Sequence, residues 1–204
     1  MKQIKFPLIL LVGIMASVTL SSCLLTVGAP LARKVEPGKW TVEGSAGLMA
    51  PYEAGQNPSI HAYLYVGRAL GKHFEIGLLP YYYKVNSSGV IDVLEAGVIA
   101  LPFKWDPFNY SSPFHLTIFA VPSLFMGDLH GFLLYEGIGL SYDFDFPLQL
   151  YASYSIPYYG FQLFTGNLGL RYKLNSNLTL GGNFMFSSLL GYGLNLTLST
   201  ALGK

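Results

Sequence analysis

The sequence predicts an all-β protein: an antiparallel up-and-down transmembrane β-barrel of about ten strands, eight being the alternative. Three observations predict it. Charge is scarce, at 11% of 204 residues, where a soluble surface carries roughly 25–35%; aromatics reach 15% and mean hydropathy is positive. Beyond the N-terminus no apolar run approaches the about 18–20 residues of a spanning helix, since Ala96–Phe103 and Leu116–Met126 are short and carry prolines. Apolar residues instead recur at every second position, as in Leu194, Leu196 and Leu198 against Asn195, Thr197 and Ser199, which is the period of a strand. Backbone in lipid must satisfy its own hydrogen bonds, so an apolar chain without spanning helices is left with the closed barrel.

The N-terminus reads as an address. Lys2 and Lys5 precede an apolar run from Phe6 to Leu20 that ends in small residues, so residues 1–22 are expected to be a signal peptide. Its removal takes Lys2 and Lys5 from the twelve basic residues, leaving ten against eleven acidic ones, and moves the formal charge from +1 to −1. Nothing in that balance suggests a nucleic-acid partner, and none is expected. Cys23 is the one cysteine, so no intrachain disulfide can form. Leu20-Ser21-Ser22-Cys23 resembles the lipobox of bacterial lipoproteins, and the resemblance implies acylation of Cys23. Acylation adds about 0.8 kcal/mol of membrane affinity per buried methylene. Residues 23–38, with Pro30, Arg33, Lys34, Glu36 and Pro37 and no period, are expected to be a lipidated N-terminus and linker; residues 39–204 form the barrel domain.

Strands follow in order. The first starts near Trp40, with Val42, Ala46 and Leu48 opposite Thr41, Glu43 and Ser45, and stops at Pro51. A polar loop leads to a strand over Ile60–Leu70, which turns at Gly71-Lys72 into another over His73–Tyr82. After Asn86-Ser87-Ser88-Gly89 a strand covers Val93–Phe103; the aromatic turn Trp105–Tyr110 returns the chain through Phe114, Leu116, Ile118 and Ala120 to Pro122. Leu134–Phe144 and Leu148–Ile156 flank the turn Asp145-Phe146-Pro147. Three final strands are joined by Asn175-Ser176 and Leu190-Gly191. Odd strands finish at Pro51, Pro80, Pro122 and Pro157, three of them followed by tyrosine, which suits strand ends at a membrane–water boundary.

Gly139-Leu140-Ser141-Tyr142-Asp143-Phe144, Gly169-Leu170-Arg171-Tyr172-Lys173-Leu174 and Leu178-Thr179-Leu180-Gly181-Gly182 resemble the strand-and-turn units of bacterial outer-membrane β-barrel proteins, over about Trp40 to Leu202. The resemblance implies lipid outside, short periplasmic turns, both termini in the periplasm and outer-membrane lipids as partners, with any surface or periplasmic protein partner unspecified. Such proteins often end on an aromatic residue; this chain ends Leu202-Gly203-Lys204.

Scarce charge decides the facing. A soluble barrel needs a charged exterior, which this composition cannot supply, so the leucines look outward and Glu43, Glu75, Glu95, His115, Asn167, Arg171, Lys173, Asn183 and Thr197 are expected in the lumen. Glu136 and Arg68 fall on the outward parity, near strand ends from which they can reach the interface. Asp128-Leu129-His130 and Asp143-Phe144-Asp145 resemble the two pairs of omptin proteases, but the predicted strand order puts them at opposite rims, where they cannot activate one water. No histidine supplies the His-x-Ser spacing of lipid A deacylases, and His61, His73, His115 and His130 are too scattered for metal ligation. No catalytic residue, metal or cofactor is therefore expected. The expected role is structural, surface-interaction or minor-channel. The alternatives are a barrel enzyme acting on lipid or peptide, and a soluble lipid-binding barrel tethered by acylated Cys23.

Overall fold

The computed structural model describes residues 31–50, 58–86, 93–127, 131–157, 164–187 and 191–203. Its strands are β1 (Trp40–Ala50), β2 (Ser59–Ala69), β3 (Phe74–Asn86), β4 (Val93–Ala100), β5 (Phe103–Trp105), β6 (Phe114–Gly127), β7 (Gly131–Asp143), β8 (Leu148–Pro157), β9 (Thr165–Lys173), β10 (Leu178–Ser187) and β11 (Gly191–Leu202). Sequential neighbours pair antiparallel, and β1 pairs both β2 (Trp40↔Arg68) and β11 (Trp40↔Leu202), which closes the sheet. β4 and β5 are two halves of one strand: Leu79↔Ala100 and Ile76↔Phe103 share a register on β3, as Ala100↔Ser123 and Phe103↔Ala120 do on β6. The barrel thus has ten strands. We call the rim where β1 begins and β11 ends proximal, and the opposite one distal.

Prolines do not end strands as expected. β3 runs on through Pro80 to Asn86, and β6 through Pro122 to Gly127. Their missing donors fall at gaps: the β2–β3 pairing skips from Tyr63↔Tyr81 to Val66↔Leu78, and β4 lapses into β5 at Leu101-Pro102. There the Leu101 N–H donates to the Pro122 carbonyl (3.0 Å) and the Gly77 N–H to the Pro102 carbonyl (2.8 Å), so neighbours compensate. Pro157 is the last residue of β8, and Pro51 lies outside the described residues.

Facing follows the leucines. Leu196 is 73% exposed while Asn195 and Thr197 on either side are 3%, so β11 turns its apolar set out and its polar set in. Phe184 and Leu198 also face out, which removes the soluble lipid-binding alternative, because that barrel needs this face inside. Trp40, Phe74, Trp105, Phe144, Phe146 and Tyr172 ring the proximal rim, and Tyr82, Phe132 and Tyr192 the distal one. Arg68 stays at the proximal rim with its guanidinium 5.2 Å from the Trp40 ring, whereas Glu136 sits exposed on the outer wall of β7. An apolar exterior of this extent is stable only against lipid.

Inside, the tyrosines are the surprise. Of the three after Pro80, only Tyr82 faces out; Tyr81 and Tyr83 join Tyr63, Tyr65, Tyr135, Leu79, Val98, Phe119 and Val121 in one buried cluster. Glycine makes room for them. A Cβ at Gly67 would stand 2.4 Å from the Tyr65 hydroxyl and one at its partner Gly77 2.4 Å from the ring, so this pair lets the side chain lie flat on the wall.

Candidate functional site

Of the expected linker, residues 23–30 lie outside the described residues, and the part from Leu31 to Val35 is packed, not free. Leu31, Ala32 and Val35 are 0–1% exposed, and Leu31 belongs to the tyrosine cluster, so this stretch lies inside the barrel at its proximal end. Two of its carbonyls are claimed by the wall: Thr117 Oγ1 donates to the Leu31 oxygen (2.9 Å), and Lys104 Nζ donates to the Arg33 oxygen. Arg33 Nη2 donates to Thr41 Oγ1, Lys34 pairs with Asp143, and the Val35 N–H reaches Asp106 Oδ2 at 3.4 Å. Gly139 opposite has no side chain because a Cβ there would meet the Ala32 Cα at 2.6 Å. Gly38, at φ 75°, then turns the chain into β1.

Two buried ion pairs sit beside this plug. Arg171 Nη2 lies 3.3 Å from Glu43 Oε2, its guanidinium stacks 3.9 Å from the Tyr151 ring, and its Nη1 donates to Gln149 Oε1 (3.1 Å). Tyr63 donates to the other Glu43 oxygen at 2.8 Å. Lys104 Nζ lies 3.4 Å from Glu75 Oε1, which also accepts from Tyr65 at 2.5 Å. In a lumen of low dielectric, such pairing and hydrogen bonding is what makes buried charge tolerable.

His115 closes the floor, with Nδ1 2.7 Å from Asp106 Oδ2 and Nε2 2.8 Å from the Ser112 carbonyl. Burial works against ionisation of Asp106. The His115 ring and the N–H groups of Phe108 and Val35 outweigh it and hold the carboxyl below its ordinary value. Farther in, the lumen carries neutral polar chains: Asn183 donates to Asn167 (2.9 Å), Asn167 to Ser153 (3.3 Å), and His61 bonds Asn195.

Of the residues expected in the lumen, Glu43, Glu75, His115 and Arg171 are buried inside, and Glu43 meets Arg171. Glu95 is not in the lumen. Ala96, Val98 and Ala100 take the inward parity of β4, which leaves Glu95 outside, paired with its cross-strand neighbour Lys84. Lys173 shares the parity of Arg171 but sits at the end of β9, exposed at the proximal mouth. The sequence reading missed Arg33, Lys104 and Asp106. Lys104 carried a usable signal, because a cation between Phe103 and Trp105 on one short strand must point away from the aromatic face. Asp128-Leu129-His130 and Cys23 lie outside the described residues, and Asp143 is engaged by Lys34 and Gln149 (2.6 Å). Among the described residues no His, Cys, Asp or Glu cluster could hold a metal ion.

No family model and no curated protein matches the chain. Among solved structures it is similar to the COG4313 outer membrane channel from Pseudomonas putida F1, with 10% identity over 88% of this chain and 100% of that one, at a TM-score of 0.52. The fold is that of a transmembrane β-barrel. Looser likenesses are a de novo designed transmembrane β-barrel (14% identity, 83% and 100% covered, TM-score 0.43) and Neisserial surface protein A (13%, 80% and 93%, 0.33). Within this barrel, the inserted Leu31–Val35 segment and its polar anchors are the feature on which a function can turn.

Proposed function

We propose that the chain is a bacterial outer-membrane barrel, lipid-anchored at Cys23, whose lumen is closed by its own N-terminal segment. Its role is structural or surface-interacting, and it conducts as a minor channel only when that segment withdraws. The observation that carries this reading is the burial of Leu31, Ala32 and Val35 against the inner wall. Leu31 is held by Thr117, three residues along β6 from Phe114, hence about 10 Å in from the proximal rim. The eight residues from Cys23 to Leu31 span at most about 28 Å when extended, enough to reach back to a leaflet at that rim. Anchor and plug are then compatible, with the proximal rim and both termini on the periplasmic side.

No catalytic role is proposed. A ten-stranded lumen is little wider than the eight-stranded kind that side chains just fill, and here a second segment of chain occupies it as well. Planar-bilayer recording tests the reading. The intact protein should be silent, and deletion of Leu31–Val35 should give discrete openings; steady conductance from the intact protein would refute the plug. The anchor is tested by radiolabelled palmitate, which Cys23→Ala should fail to incorporate.

A further inference from the structure

We propose that the proximal mouth binds an oxyanion of the phosphate class, held by Arg33 with Arg171 and Lys173 beside it. Arg33 is 7% exposed, and among the described residues no carboxylate lies within ion-pair reach of it. Its Nη2 is used on Thr41, but its Nε has no acceptor. A buried guanidinium has five N–H donors to satisfy and cannot shed its proton, so it calls for an anionic partner.

One acid acts on it from beyond ion-pair distance, Glu75, whose Oε2 has no hydrogen-bond partner, and the other described acids are engaged elsewhere or face away. Glu43 serves Arg171, Glu75 serves Lys104, Asp106 serves His115, Asp143 serves Lys34 and Glu36 serves Lys39 (3.1 Å). Glu95 and Glu136 face outward, and Asp145 is exposed in the β7–β8 turn. Glu53, Asp92 and Asp128 lie outside the described residues. What remains in the mouth is positive: Arg33, together with Lys173, which has no ion pair among the described residues.

Both cations line one cavity of about 160 Å³ with Arg171 and Gln149, and the two carboxylates in the same lining, Glu36 and Asp143, are each paired with a lysine. That is room for a small tetrahedral ion and the donors to surround it. The ion bridges the plug, through Arg33, to the wall, through β9. Phe144 and Phe146 border the same cavity from the rim, so the phosphate can arrive free or as the headgroup of an anionic lipid. The site depends on these side chains and not on whether the barrel conducts.

The test uses the full chain folded in uncharged detergent. Thermal unfolding is followed by heat-modifiable gel migration, with inorganic phosphate replacing chloride at constant ionic strength. A second arm compares short-chain phosphatidylglycerol with phosphatidylcholine. Phosphate should raise the transition temperature of the wild type. Its apparent affinity should fall by about tenfold or more in Arg33→Gln, the factor a charge-assisted hydrogen bond is worth, and less in Lys173→Gln. Lys72→Gln, an exposed lysine in the β2–β3 turn, should leave it unchanged. Stabilisation by phosphatidylglycerol alone assigns the phosphate to lipid and keeps the site. Equal effects of phosphate and chloride, no effect in either arm, or the same response in every variant overturn it. If Arg33→Gln does not fold, Lys173→Gln decides, since unweakened binding there overturns the proposal.

Discussion

Gly139→Ala puts a methyl group where the plug's backbone passes. The added Cβ would lie 2.6 Å from Ala32 Cα and 2.5 Å from Thr117 Oγ1, closer than real Cβ atoms come, and one of the two neighbours is main chain. The wall is held by two ladders, so the plug is what gives way. Its full release would forfeit the burial of Leu31, about 1.5–3 kcal/mol, and the hydrogen bonds from Thr117 and Lys104, about 0.5–1.5 kcal/mol each. A single methyl displaces the segment only in part, so a loss of about 1–3 kcal/mol is expected, the usual range for overpacking. The assay is the urea midpoint of heat-modifiable migration, run on the intact chain and on a chain lacking Leu31–Val35. In the shortened chain the substitution should cost much less, since Ala32 is gone and the Thr117 hydroxyl, released from the Leu31 oxygen, can turn aside, and in the intact chain it should also raise bilayer conductance. An equal loss in both backgrounds would place the strain in the sheet and refute the reasoning.

Three further outcomes follow from the same structure. Phe184→Arg puts a charge on the lipid face of β10 and should cost roughly 2–4 kcal/mol and impair insertion, measured as the folded fraction on refolding into vesicles; unimpaired insertion would mean the facing is wrong. Glu43→Ala strips the carboxylate from buried Arg171 and should cost about 3–5 kcal/mol, whereas the double change Glu43→Leu with Arg171→Met should recover most of it; a double variant as unstable as the single would exclude the ion pair as the cause. Because the Asp106 carboxyl is held below its ordinary value of about 3.9, the stability it contributes is complete above that pH and is lost as pH falls through the depressed native value. An acid titration of the urea midpoint should therefore fall less steeply in Asp106→Asn than in the wild type, and superimposable acid limbs would remove Asp106 from the account.

The sequence by itself determined the class of object and its facing, because both rest on local regularities. Period-2 alternation in Leu194–Ser199 marks a strand wherever it lies, and scarce charge fixes which side of that strand meets lipid. Glu43, Glu75 and Arg171 were legible as interior for the same reason, being charges on the polar parity of apolar strands. Pairing was not legible. That Glu43 meets Arg171 is set by β1 closing on β11 and by β9 lying two strands beyond, and no spacing along the chain encodes it. Glu95 was misplaced because the prediction took its polarity as evidence of facing, while β4 keeps Ala96, Val98 and Ala100 inside, against the tyrosines, and lets Lys84 neutralise the carboxylate outside. Pro80 and Pro122 looked like strand ends because a missing donor is a local fact, whereas its compensation by a neighbouring strand is not. The plug was hidden most completely. Leu31–Val35 has no period and reads as a linker, and only the closed barrel, with an opening at Gly139 and donors on Thr117 and Lys104, supplies the surfaces that bury it.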